Sequence, residues 1–356
     1  MAKDFFKALL PGDKTTVRSL LYESIPITGS LVSGTYSSGD NIKNYSHGMF
    51  QSVYDYPYLS SSANHIFDLT AGYHSTSSLS GSTPQNNTDR KNKINMYNQM
   101  AQVLMGYDVN SNIERFDSDG ILVDSANKMN EVIFVNFARL LTKDEIKKGS
   151  VNIELGVTGA YATPFLDRIK LTDKLGSNGY FVNGAIGQYG TLYCTNTAGE
   201  PLSGSDGDAK GGVVFYQAGI AAITASVFGS LLSSSAEMNF TGSTIDAILT
   251  GSSTLAICNE IRHRIYNIQY TNTTELNSTV YFCRLNNNEF NYSSNPTYTS
   301  ASQIVVKDVA NDLPVSYMTT VGLYSAKNEL LAVAKVSEPL KKSPDTELTL
   351  RVRLDY

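Results

Sequence analysis

The sequence predicts a mainly β protein built of antiparallel, sandwich-like sheets, with one or two short helical insertions and a loop-rich N-terminal arm. Three observations predict it. The stretch TELTLRVRLDY (346–356) puts Leu348, Leu350, Val352 and Leu354 at every second position with Thr349, Arg351 and Arg353 between them, the period of a half-buried strand with a polar outer face. The stretch YMTTVGLYSAKNELLAVAKV (317–336) gives two strand-like runs, 317–324 and 329–336, across the polar link 325–328, which signals a hairpin. In the middle, GYFVNGAIGQYGTLYCTN (179–196) and GGVVFYQAGIAAITASVF (211–228) read as short apolar strands separated by tight turns.

The elements follow in order. Residues 1–88 are rich in Ser, Tyr and Gly, and TAGYHSTSSLSGSTPQNNT (70–88) is their loosest part. Ordering such a chain costs about 1–2 kcal/mol per residue in backbone entropy, so this segment reads as an arm that a partner surface orders. A helix near 89–105 comes next: Thr88 or Asp89 can cap it, Ile94, Tyr97, Ala101 and Leu104 recur at helical spacing, and Gly106 stops it. A strand at 132–140, a charged turn with helical character closed by Gly149, and a strand at 151–157 follow. Ile245, Ile248, Leu249, Leu255 and Ile261 mark one helix, or two broken at GSS (251–253), after which 264–285 opens a β-rich region. The loop SEPLKKSPD (337–345) leads into the final strand, so the chain closes on an antiparallel meander whose last strand is held by neighbours or by another subunit. The organisation is a loop-rich arm with its helix (1–115), an antiparallel β domain (116–165 with 255–356) and a Gly-rich β insertion (166–254). No fixed-period repeat is present.

Composition excludes several classes. A length of 356 residues can bury a substantial core without staples. Cys194, Cys258 and Cys283 are far apart and form no CxxC pair, so a disulfide framework or zinc ribbon is not expected. The start MAKDFFKALLPGDK carries charges within its apolar stretch and no cleavage pattern, so synthesis in a reducing cytoplasm is expected. The uncharged run 213–232 is as long as a bilayer span, but its QAG break, its Ser and Thr and its lack of basic flanks favour two buried strands around a turn and no membrane. A net charge of −5, with only the small basic cluster Arg262, His263 and Arg264, predicts no nucleic-acid partner.

The search for chemistry yields no catalytic, cofactor or metal assignment. His47, His65 and His74 lack ligand spacing. The run DVNSNIERFDSD places Asp108, Asn110, Asn112, Glu114 and Asp119 at oxygen-ligand spacing, but Ile113 stands where a calcium loop needs glycine, so a polar turn is expected. LLPGDKTT is not a phosphate loop, and no G-x-S-x-G elbow occurs. The cysteines, even with His263 available, read as buried hydrophobes. Acid pairs for glycoside hydrolysis are set by the fold and stay open. Absent tryptophan weakens a carbohydrate-binding reading, although 22 tyrosines supply stacking surfaces.

The C-terminal third carries a resemblance. NNNEFNYSSNPTY (286–298) and 316–356, with VIFVNFARLLTKDEIKKGSVNIELG, GTLYCTN and GGVVFYQAGIAAITASVF, resemble structural proteins of large contractile-tailed bacteriophages, particularly baseplate-associated ones. The resemblance covers about half the chain and implies a non-enzymatic virion component. Such a protein would be assembled in the host cytoplasm, homo-oligomeric, and docked to other baseplate or tail proteins. It implies no catalytic residue. Alternatives are a host-receptor or glycan-binding tail module, or a neck or collar adaptor. Candidate interface residues are Tyr298, Arg351, Arg353 and Tyr356. The two arginines either meet acids of an adjoining subunit or guard the strand against edge-to-edge aggregation. The Asn-rich loop either satisfies its own turns, the favoured reading, or bonds a neighbour.

Overall fold

The structure is a computed structural model that describes residues 6–28, 40–81, 88–122, 127–158, 160–204, 207–229, 244–293, 295–301, 303–307, 309 and 311–356. It is mainly β, as the sequence predicts. The first strands are β1 (Lys14–Thr28), β2 (Ile42–Asn44), β3 (Gln51–Tyr54) and β4 (His65–Tyr73), followed by helix α1 (Thr88–Leu104) and β5 (Glu131–Phe137). A single turn α2 (Arg139–Thr142) precedes β6 (Glu145–Ile146), β7 (Asn152–Gly156), β8 (Arg168–Thr172), β9 (Phe181–Gly184) and β10 (Gly187–Thr195). Then come β11 (Ser203–Gly204), β12 (Gly207–Asp208), β13 (Lys210–Phe215) and β14 (Ile220–Thr224), and helices α3 (Ile245–Gly251) and α4 (Thr254–Arg264). The last strands are β15 (Ile265–Leu285), β16 (Thr299–Ser300), β17 (Gln303–Ile304), β18 (Ser316–Tyr324), β19 (Leu330–Lys342) and β20 (Leu348–Asp355).

The chain divides into a central unit, residues 21–274, and a terminal unit made of residues 1–20 and 275–356. In the central unit an antiparallel sheet runs in the order β15-β7-β8-β10-β13-β14-β5-β4-β3-β2. Successive side chains point to opposite faces, and here both faces are covered. Ile133, Val135, Val214, Ala221 and Ile223 join one core with Ile248, Leu249, Ile257 and Ile261 of α3 and α4. Their neighbours Val132, Phe134, Val213, Phe215 and Ala222 join a second core with Tyr97, Ala101 and Leu104 of α1. This double burial explains the uncharged run 213–232. Through Gly229 it forms β13, a turn at Gln217–Gly219 and β14, while 230–232 lie outside the described residues.

α1 matches its predicted bounds and ends where Gly106 adopts φ +90°, with both Met105 and Gly106 donating to Ala101 O. It packs so closely on β4 that a Cβ on Gly72 would stand 2.6 Å from Lys93 O and 2.9 Å from Tyr97 N. α3 and α4 are the two helices broken at GSS, and each begins on a hydroxyl cap, Thr244 for Ala247 N and Ser253 for Ala256 N.

Three expectations are corrected. Residues 40–81 contribute β2, β3 and the buried β4, which pairs with β3 and β5, instead of a loop-rich arm. Ile66, Phe67, Leu69 and Ala71 supply enough buried apolar surface to order this segment within the chain. The supposed insertion 166–254 supplies β8, β10, β13 and β14, which stand between β7 and β5 in the sheet. Strands apolar on both faces belong where both faces are covered. Finally, the C-terminal strands form no continuous meander. β18 and β19 pair as a hairpin through the predicted link, but β19 runs through the expected proline loop to Lys342. β20 pairs instead with β15, from Ser278↔Asp355 to Leu285↔Leu348.

Candidate assembly interface

The central unit's polar clusters were tested first for chemistry. On β3 and β4 the Ser52 hydroxyl donates to Asp68 Oδ1 at 2.5 Å, and His65 Nε2 lies 2.7 Å from the same oxygen. Serine and imidazole both end on the carboxylate, whereas a nucleophilic relay needs the imidazole between the other two. This cluster therefore knits two strands and activates no hydroxyl.

Asp173 is sealed from solvent and accepts from Gly149 N (2.6 Å), Val151 N (2.8 Å) and Tyr216 Oη (3.0 Å). Burial outweighs these donors and pushes its carboxyl up to about 6. Lys93, 1% exposed, donates to Leu249 O and Ser252 O at 2.7 and 2.5 Å and so closes the C-terminal end of α3.

The calcium-like run is a turn. Asp108 Oδ1 accepts from Asn110 N and Asn112 N, both at 2.8 Å, and these bonds hold its carboxyl below the usual range. Glu114 and Asp117 face Lys128, and Asp119 takes the Asn127 amide at 2.9 Å. Among the described residues no three His, Cys, Asp or Glu side chains are grouped to hold a metal ion. His263 stacks on Tyr161, with centroids 4.3 Å apart, and bonds its carbonyl. Cys194 and Cys258 are buried, which pushes both thiols up to about 12.

The terminal unit is built differently. Its only buried apolar side chain among the described residues is Leu285, at 8% exposure. Polar contacts hold it instead. Asp13–Arg284 (2.7 Å), Arg18–Glu275, Lys7–Glu289 and the Thr16–Thr279 hydroxyl pair (3.1 Å) link the residues before β15 in sequence with β15 and its following loop. Lys342 is fully buried and donates to Asn291 Oδ1 (2.6 Å), Ser343 O (2.9 Å) and Asn287 O (3.2 Å). Burial holds its ammonium below the usual lysine range.

Meanwhile apolar side chains point outward. On the β18–β19 hairpin Leu331 is 68% and Val333 55% exposed, and Tyr317, Tyr324 and Leu330 are about half exposed. The opposite face of the hairpin, with the pairs Val321↔Ala334 and Leu323↔Ala332, is only partly covered. On β20, Leu348, Leu350, Val352 and Leu354 are likewise only half buried. The strand alternation predicted for 346–356 is present, but no core closes over it.

The predicted interface residues divide. Tyr298 bonds Val315 O and meets Tyr292 edge-on, so its hydroxyl is used within the unit. Arg353 reaches Asp355 (2.7 Å) and Ser278 (3.0 Å), which also keeps it internal. Tyr356 exchanges backbone hydrogen bonds with Asn277, and its ring is exposed. Arg351 is exposed opposite Phe282. The Asn-rich loop satisfies its own turns, as favoured: Asn286 N donates to Glu289, Asn291 Nδ2 to Asn287 O, and Thr297 N to Asn295 Oδ1.

The sequence reading missed Leu331, Val333 and the β18 edge. Their signal was present, because 317–324 and 329–336 are apolar at both odd and even positions with no later amphipathic helix to cover them.

A large antiparallel sheet with a core on each face, and a terminal unit with scarcely any core, define the class: a mainly β protein that presents an uncovered apolar hairpin. No protein-family model, no curated protein and no solved structure matches the chain.

Proposed function

We propose that this chain is a non-enzymatic virion structural protein, a baseplate or tail component of a contractile-tailed bacteriophage that docks to its neighbours through the terminal unit. One observation carries the docking role: a unit of about a hundred residues leaves its apolar side chains in water, with Leu285 alone buried among those described. A two-stranded hairpin is marginal by itself in water, so β18 and β19 call for a covering surface. Exposed apolar patches of this extent on a soluble chain mark interaction sites. The virion assignment is supported by the resemblance of 286–356 to phage structural proteins, and the central unit's clusters, which bond inward, suit a mechanical role.

The test is quantitative mass spectrometry of purified particles, with a tail sheath or capsid protein as the copy standard. Presence at a low multiple of three or six is the expected result. Absence from the particle overturns the virion reading.

A further inference from the structure

We propose that the surface covering the β18–β19 hairpin is supplied by another copy of this same chain. This rests on the assembly reading above and names its partner.

The first argument is the edge. β18 reads SYMTTVGLY, nine residues without a charge or a proline. It pairs only with β19, so one row of its N–H and C=O groups has no strand neighbour among the described residues. Proteins blunt free edges with charges, prolines or bulges, and the unit does so elsewhere. β20 carries Arg351, Arg353 and Asp355, and β19 carries Lys335, Glu338, Pro339 and Lys341. Leaving only β18 unguarded suits an edge that is paired in the working state. An edge of this chain meeting the same edge of a copy needs no second surface to be present.

The second argument is charge. The terminal unit holds 12 Lys and Arg against 11 Asp and Glu, a net of +1, whereas the central unit holds 16 against 22, a net of −6. The bare apolar surface therefore sits on the unit whose copies do not repel one another. Its near-balanced, interspersed charges are complementary to themselves, and they give a strongly acidic or basic partner no purchase. The unit also presents the exposed Tyr317 and Tyr324 beside Leu331 and Val333, an aromatic and aliphatic mixture of the kind that anchors interfaces.

The test uses the full chain. Sedimentation velocity over a wide dilution series is run on the wild type, on Leu331→Lys with Val333→Lys, and on Val109→Lys with Leu166→Lys, which alters exposed apolar residues of the central unit. Hydrogen exchange over 316–342 is read alongside. The wild type is expected to self-associate. The hairpin variant is expected to lose about a hundredfold or more in self-affinity and to exchange rapidly at 316–342, while the central-unit variant behaves as wild type. A self-associated wild type that the hairpin charges leave intact overturns the proposal. So does a monomeric wild type. In that case, fast exchange at 316–342 keeps the assembly reading with a different partner, whereas slow exchange shows that the hairpin is stable uncovered and removes both.

Discussion

Lys342→Met tests whether polar contacts, in place of a core, organise the terminal unit. The side chain keeps its length and loses its charge. Three acceptors, Asn291 Oδ1, Ser343 O and Asn287 O, lose the donor they share. Bonds from a charged donor are worth about 1.5–3 kcal/mol each, and the longest of the three contributes least, so the gross loss is about 4–6 kcal/mol. Removing the cost of burying an ammonium returns part of this and leaves about 2–3 kcal/mol. Ser316, paired with Lys342 across the hairpin base, also bonds Phe290 O, so the Asn-rich loop and the hairpin should loosen together. At about 1.4 kcal/mol per tenfold, opening of 286–293 should increase about thirty- to hundredfold, read as faster amide exchange by mass spectrometry. Exchange at 286–293 within about threefold of wild type, equivalent to about 0.6 kcal/mol, would refute the reasoning.

Three further outcomes are expected. Gly72→Ala puts a methyl against the backbone of α1 and should cost about 2 kcal/mol, lowering the central unit's melting temperature by about 4–8 °C in calorimetry; an unchanged temperature would show that α1 can back away freely. The Asp173 carboxyl sits at about 6 in the folded chain against an ordinary 3.8. The folded state therefore binds more protons between these values, and this group's contribution to stability falls as pH rises from about 4 to 6, by about 3 kcal/mol. Denaturant titrations should show that part of the pH slope missing in Asp173→Asn, and parallel profiles would refute the assignment. Cys194 and Cys258, buried with thiols at about 12, should react with a thiol reagent at pH 8 only on unfolding; labelling of the native chain at either position would contradict the double-sided core.

The sequence made local elements legible where period and punctuation agreed. α1 carried its apolar spacing and its Gly106 stop, and the β18–β19 hairpin carried a polar link between two β-prone runs. Strand order was not legible, because it depends on which neighbour covers which face. Ile66, Phe67, Leu69 and Ala71 were hidden among Ser, Tyr and Gly, so β4 read as part of an arm although it lies between β3 and β5. The final strand's alternation was read correctly, but alternation says nothing about whether β15 or β19 is its neighbour. As for the interface, the charged residues drew attention, yet Arg353 and Tyr298 spend their polar atoms within the unit. The informative signal was the reverse: strands with no charge and nothing inside the unit to bury them.

The unguarded β18 also bears on when the chain is vulnerable. Its residues follow the central unit in chain order, so they leave the ribosome after that unit's sheet is complete. At about 5–20 residues per second, the stretch from 275 to 342 takes about 3–14 s to make. During most of that time the sticky strand is still unsynthesised or confined to the exit tunnel. A segment whose exposure invites misassociation is thus released last, onto a body already folded, and copies made on neighbouring ribosomes meet it as it appears.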